Sequence, residues 1–308
     1  MRKAVPVIFL TLFWIFLPAC RAKNPAPADT ERVGAAGEGR TVLPVNQVVT
    51  PAGIQIPLPG LRPQALALSP DGRLLAVSGK TSELVILDAA AGAIRQRVEL
   101  PAEEIYEPQP DVPSRRILEP DTEGLLSYTG LVFSPDGKLI YLSNVKGSLK
   151  VFAVREDGTV RPSHSIALPP ADAPRRAEEI PAGLAVSRDG ARIYLCASLS
   201  NRLLEIEAAT GGVLRAFDVG VVPFDVVLVG DKAYVSNWGG RRPQPGDLVG
   251  PAGRGTEVKV DPEKHIASEG SVTVIDLVAG RPTGDILVHL HSSALALSPD
   301  GRYLVCAN

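Results

Sequence analysis

Four nearly identical tetrapeptides punctuate this 308-residue chain: Ser69-Pro70-Asp71-Gly72, Ser134-Pro135-Asp136-Gly137, Ser187-Arg188-Asp189-Gly190 and Ser298-Pro299-Asp300-Gly301. Each lies between a short apolar run and a strand-like segment. Each is followed by a second recurring element: Ala76-Val77-Ser78-Gly79, Tyr141-Leu142-Ser143-Asn144, Tyr194-Leu195-Cys196-Ala197 and Val305-Cys306-Ala307-Asn308. A fifth copy, Tyr234-Val235-Ser236-Asn237, follows Val229-Gly230-Asp231 in place of the turn. Self-similarity of this kind means stacked supersecondary units, none of which buries its apolar face alone. The second elements begin at Ala76, Tyr141, Tyr194, Tyr234 and Val305, which gives spacings of 65, 53, 40 and 71 residues. The base period is therefore near 40, with insertions of about 25, 13 and 31 residues, and about 40 to 45 residues is one four-stranded propeller blade.

Within a unit, Leu74–Ser78, Leu84–Asp88 and Ala93–Leu100 read as short strands separated by Gly, Asp and Ala turns, an antiparallel meander. Asp-Gly suits the hairpins because Gly tolerates positive φ and Asp hydrogen-bonds nearby backbone. The expected fold is all-β, a β-propeller of four-stranded antiparallel blades over residues 44–308, with about four and a half blades present. Val45–Leu58 reads as the outer half of a blade: strand, Pro51-Ala52-Gly53 turn, strand. Residues 294–307 would supply its inner strands in a five-bladed ring, because closure removes exposed sheet edges. The reading adopted is an open ring, with roughly two blades beyond Asn308. With 29 Gly and 28 Pro, little room is left for long helices.

The net charge of −2 leaves no basic excess to neutralise phosphates, so nucleic acid is not an expected partner. Arg2 and Lys3 precede an apolar stretch, Ala4 to Leu17, too short to span a bilayer but right for a secretory signal. Leu17-Pro18-Ala19-Cys20 resembles the bacterial lipobox, with Cys20 the lipidated residue, although Pro18 departs from the usual small residue. Residues 1–20 are thus expected as the signal peptide and 21–43 as a flexible linker. An acylated tether attaches a protein to a membrane without a spanning helix. The expected location is periplasmic or cell-surface. Aligned by repeat, Cys196 and Cys306 occupy adjacent strand positions facing opposite sides, so no disulfide is expected between them.

The repeats resemble the 40-residue YVTN-type seven-bladed propeller, related to YncE-like periplasmic proteins and, in architecture, to propeller lactonases. The resemblance covers roughly residues 44–308. The run Tyr234-Val235-Ser236-Asn237-Trp238-Gly239-Gly240-Arg241-Arg242-Pro243, the later Gly270–Leu277 and Leu290-His291-Ser292-Ser293-Ala294-Leu295 resemble bacterial proteins that fuse such a propeller to an alkaline-phosphatase-like phosphoesterase domain. Ser292 stands where those relatives have proline. The resemblance implies two alternatives to a binding or scaffolding module: the propeller of a metal-dependent phosphoesterase whose catalytic domain lies beyond Asn308, and a propeller lactonase.

In a four-stranded meander, the one-to-two and three-to-four loops leave one end of the blade, and the two-to-three loop and the interblade link leave the other. Residues 101–127 and 169–181 link blades and 239–269 joins strands two and three, so all three insertions are expected on one face. Enlarged loops on a rigid scaffold are where binding sits, so that face is expected to take an unknown protein or a small-molecule ligand. Loop 101–127 carries seven acidic residues against Arg115 and Arg116, whereas 239–269 is balanced. Repeat alignment places Arg62, Ser127, Ile180, Val222 and His291 at the channel mouth, and Arg62 and His291 are its polar candidates. Trp238, Arg241 and Arg242 are the candidates in the insert.

Asp225 is the inner-strand carboxylate candidate, where the other blades have Ala65, Gly130, Gly183 and Ala294. One carboxylate is too few for paired acid and base roles or a hard-cation cage. His289 and His291 read as a His-x-His pair on one strand face, the geometry of two metal ligands, but no third ligand lies nearby, so no metal is assigned. His164 and His265 are expected in polar loops. No nucleophile elbow, phosphate loop or Ser-His-Asp spacing is present. No catalytic residue or cofactor is assigned, and these residues read as a binding module rather than an enzyme.

Overall fold

The computed structural model describes residues 32–308 apart from 36, 38, 45–46, 103–125 and 253–255. The repeated turns are built identically. Ser69 Oγ donates to Asp71 Oδ1 (2.6 Å) and accepts the Leu74 N–H (2.9 Å). The same pair of bonds recurs at Ser134 (2.6 and 2.9 Å), Ser187 (2.5 and 2.8 Å) and Ser298 (2.5 and 2.9 Å). Gly72, Gly137, Gly190 and Gly301 have φ of 71, 71, 73 and 69°, the left-handed region that glycine enters without a Cβ penalty. The serine hydroxyl and the backbone N–H two residues on hold the carboxyls of Asp71, Asp136, Asp189 and Asp300 below the usual range.

Contacts divide the chain into two units, Met1–Gln55 and Ile56–Asn308. In the first, β1 (Gly34–Ala35), β2 (Thr41–Val42) and β3 (Val48–Val49) form a three-stranded antiparallel sheet, so part of the expected linker is paired. The expected strand–turn–strand over Val45–Leu58 is realised only at β3. Ile54–Leu58 forms no strand. Pro57 and Pro59 interrupt that run, and proline has no N–H for a ladder. Ile56 and Leu58 pack instead on Val77, Val85 and Leu87.

The second unit is a β-propeller, as expected, and no helix occurs among its described residues. Blade 1 is β4 (Pro63–Leu68), β5 (Leu74–Gly79), β6 (Glu83–Asp88) and β7 (Ala93–Glu99). Blade 2 is β8 (Leu126–Phe133), β9 (Leu139–Asn144), β10 (Ser148–Val154) and β11 (Val160–Ala167). Blade 3 is β12 (Pro181–Val186), β13 (Arg192–Ala197), β14 (Arg202–Glu207) and β15 (Val213–Asp218). In blade 4, β16 (Pro223–Val229), β17 (Lys232–Asn237), β20 (Gly270–Asp276) and β21 (Arg281–Val288) form the sheet, while β18 (Val249–Ala252) and β19 (Thr256–Lys259) are a separate hairpin. β22 (Leu295–Leu297) and β23 (Leu304–Cys306) add a half-blade.

First strands pack against one another in succession, β4 on β8, β8 on β12, β12 on β16 and β16 on β22. Between blades lie the apolar cores: Leu84, Ile86, Ile140 and Phe152 share one cluster, Val151 and Leu195 a second, and Leu203 and Val235 a third, all fully buried. Burying such a side chain stabilises by roughly 1.5–3 kcal/mol. Polar clasps supplement them. Ser143 Oγ donates to Ala182 O of the next blade (2.7 Å), Ser198 Oγ to Pro223 O (2.9 Å), and Ser236 Oγ to Ser293 O. Ser78 holds the repeat position of Ser143 and Ser236 in blade 1, but its buried hydroxyl has no hydrogen-bond partner among the described residues. The first strand of the next blade, β8, carries a register shift between Leu126 and Leu131. Cys196 and Cys306 are free, as expected.

Candidate functional site

The antiparallel order puts the interblade links and the β17–β20 insertion at one end of the blades, and the Ser-Pro-Asp-Gly hairpins at the other. Each enlarged segment is anchored at its root. Lys150 is fully buried and its Nζ donates to Pro101 O (2.7 Å), while Ser165 Oγ donates to Ala102 O (2.5 Å), fixing the start of loop 101–127. The body of that loop, with its acidic run, lies outside the described residues.

Link 169–181 is tied by Glu179, which is 2% exposed. Its carboxylate accepts the N–H groups of Ile180 (2.9 Å), Leu199 (2.8 Å) and Ser200 (3.2 Å) and the Ser200 hydroxyl. Sequence reasoning missed this residue. Nothing in the pair Glu178-Glu179 separates them, yet the side chain of Glu178 is 63% exposed.

The insertion is a small folded body. β18 pairs with β19, Val260 bridges to Ala267, and Val221, Ala252, Val258, Val260 and Ala267 form a cluster on which half-buried Trp238 packs. Arg241 is its electrostatic centre: two bonds to Asp247 (2.7 and 3.1 Å) and an ion pair with Glu269 (3.3 Å), which also pairs with Lys259. The Arg241 guanidinium holds the Asp247 carboxyl down to about 2. Arg242 reaches across to blade 3 and its outgoing link, donating to Val219 O (2.8 Å), Asn201 O (2.6 Å) and Asp218 (3.0 Å). Arg242 thus fastens the insert to its scaffold, while Arg241 ties the insert together internally.

At the channel mouth, Val222 and His291 share a repeat position and both take left-handed φ, 54 and 59°. Such backbone costs about 1–3 kcal/mol for a non-glycine residue. Trp238 connects them: its N–H donates to Val222 O (3.0 Å), and its ring meets His291 edge-on at 4.2 Å. Arg62, the other mouth candidate, is exposed, and its backbone carbonyl accepts the Lys80 N–H. The side chain of Ser127 lies outside the described residues. The His-x-His expectation is corrected: β21 ends at Val288, so His289 and His291 sit in a turn, where they do not share a strand face. Among the described residues no cluster of His, Cys, Asp or Glu could hold a metal ion.

Asp225 is turned to a structural task. Its two oxygens accept the N–H of Val226 and of Leu295 in the half-blade, each at 2.9 Å. Burial pushes its carboxyl up from 3.8, and its proximity helps raise the Cys196 and Cys306 thiols, for which burial is the larger cause. A carboxyl whose folded pKa exceeds its unfolded value contributes stability that is present at low pH and lost as pH rises through the folded pKa. Asp225→Asn should therefore gain stability relative to wild type as pH rises from the unfolded carboxylate range, about 4, through the raised folded pKa, measured by denaturant unfolding across pH. A constant difference would show that the carboxyl does not titrate in the fold.

A cavity of about 260 Å³ lies beside the root of the insert, between blades 3 and 4, lined by Asp218, Arg241, Arg242, Gln244, Thr273 and Asp285 among others. A larger one, about 750 Å³, opens at the hairpin end between blades 1 and 2. Its charged lining mixes Asp71, Asp136, Glu156 and Asp157 with Arg73, Lys138 and Arg155, and the three aspartates are satisfied within their own turns. It presents no convergent set.

No family model matches the chain, and no curated protein matches it. Solved structures do: hydrazine synthase of Kuenenia stuttgartiensis superposes with a TM-score of 0.53 at 19% identity, covering 82% of this chain. The chain spans 57% of that protein's length. In all, 1283 solved chains match, a breadth that goes with a fold shared by many functions. What the comparison establishes is the propeller architecture.

Proposed function

We propose that the chain is an exported, lipid-anchored propeller of the YVTN, YncE-like type that acts as a binding or scaffolding module through its insert end. The observation that carries this reading is that the insertions to the repeat leave one end and are rooted there by buried or paired charges, while the hairpin turns at the other end are minimal. Rigidly held loops on a regular scaffold are the usual seat of recognition. The signal-like residues Arg2 to Leu17 and the lipobox-like Cys20 support export and anchoring.

Replacing residues 241–267 by a short Gly-Ser linker should leave the four blades folded, since the blade strands lie outside that span, and should remove the partners cross-linked by the intact protein in cells. Cys20→Ser should move the protein from the membrane to the soluble fraction. Unchanged cross-links would refute the assigned face, and unchanged sedimentation with membranes would refute the anchor.

A further inference from the structure

We propose that the cavity of about 260 Å³ at the root of the insert is a binding site for a neutral, hydroxyl-rich ring, a sugar unit. The inference rests on the insert end being the binding face and names the ligand class its cavity fits.

The charges around the cavity are already balanced. Arg241 and Lys259 are met by Asp247 and Glu269, and Arg202 and Arg242 share Asp218, with Asp285 alongside. An anion would find no guanidinium without a carboxylate partner, and a cation would compete with two arginines for Asp218. What remains is hydrogen-bonding capacity of both kinds. Among the described residues, Arg242 uses Nε and Nη2, leaving Nη1 unengaged, and the Gln244 side-chain amide makes no bond. On the accepting side, Asp218 is engaged through Oδ1 alone, and Asp285 through Oδ1, which takes the Thr273 hydroxyl at 2.6 Å. Their Oδ2 atoms are open.

A sugar hydroxyl is at once a donor and an acceptor, so a ring of them satisfies two open carboxylate oxygens, a guanidinium NH₂ and an amide together. Thr273 fixes Asp285 in place, because its Oγ1 also accepts the Gly220 N–H (3.3 Å) and an Asn237 N–H (2.9 Å). At about 260 Å³ the space holds several waters and has room for one sugar ring.

The test is saturation-transfer NMR on the soluble Cys20→Ser protein with a panel of free hexoses and N-acetylhexosamines, with glycerol and inorganic phosphate as controls. At least one sugar is expected to bind, and Asp285→Asn and Gln244→Ala, both exposed positions, should each weaken it by about 10-fold, equivalent to about 1.4 kcal/mol. Asp285→Asn retains an oxygen for the Thr273 hydroxyl, so it changes the open acceptor while sparing the support. Absence of binding by every sugar at tens of millimolar overturns the proposal, as does binding that neither substitution alters or a response to phosphate alone. If cross-links through residues 241–267 persist while no sugar binds, the sugar site fails and the binding face stands.

Discussion

Gly130→Ala is expected to destabilise the propeller by about 3 kcal/mol or more, lowering its melting temperature by roughly 6–12 °C for a domain of this size. Two separate causes add. Gly130 has φ of +87°, a backbone that an alanine adopts only with strain. A Cβ there would also stand 2.0 Å from Ala182 O of the next blade and 2.2 Å from Ser143 Oγ. Those two atoms are the acceptor and donor of an interblade clasp, so the methyl group must push the blades apart and break the bond that joins them. Gly284→Ala is the control: nothing lies within 4 Å of where its Cβ would stand and its φ is not positive, so the substitution should be neutral or slightly stabilising. Thermal unfolding of both variants decides the matter, and a Gly130→Ala melting temperature within a degree or so of wild type would show that the blades have slack at this contact.

Glu179→Ala should cost about 3 kcal/mol, because it strands donors that water reaches poorly. The carboxylate gathers three backbone N–H groups from two segments, its own link and the Leu199–Ser200 turn of blade 3, together with a hydroxyl. Each buried donor left unmet costs about 1–3 kcal/mol, offset in part by water entering the space vacated. Glu179→Gln keeps one acceptor oxygen and should recover part of the loss. Denaturant unfolding gives the energies, and amide exchange at Leu199 and Ser200 should accelerate before that of the β13 core. If alanine costs no more than glutamine, the oxygens are not what holds the link, and packing alone does.

Much of the fold was legible because its signal is local. Ser69 and Leu74 are five residues apart, and the serine, aspartate and glycine of each turn satisfy one another before any other blade is in place. Four such turns, each followed by a strand-like segment, therefore announced the blades, and connectivity alone put the insertions at one end. The outer half-blade over Val45–Leu58 failed for an equally local reason, since Pro57 and Pro59 remove the N–H groups that a strand needs.

The candidate site was legible only as a region. Trp238, Arg241, Arg242 and His291 do gather at the insert end, but as fasteners and strained backbone, and Asp225 proved to be a clasp between blades. These roles depend on partners distant in sequence: Asp225 meets Leu295 seventy residues on, and Glu179 meets Leu199 twenty on. Adjacent glutamates with the same chemistry, Glu178 and Glu179, end on opposite sides of the surface because the path of one link, fixed by the blades it joins, buries one and leaves the other in water. The sequence by itself determined the repeating hairpin, and with it the blade, since every bond that defines the turn closes within six residues. Only the tertiary structure decided which charges are latches and which still have hydrogen bonds to offer, because that is settled by the register of one blade against the next.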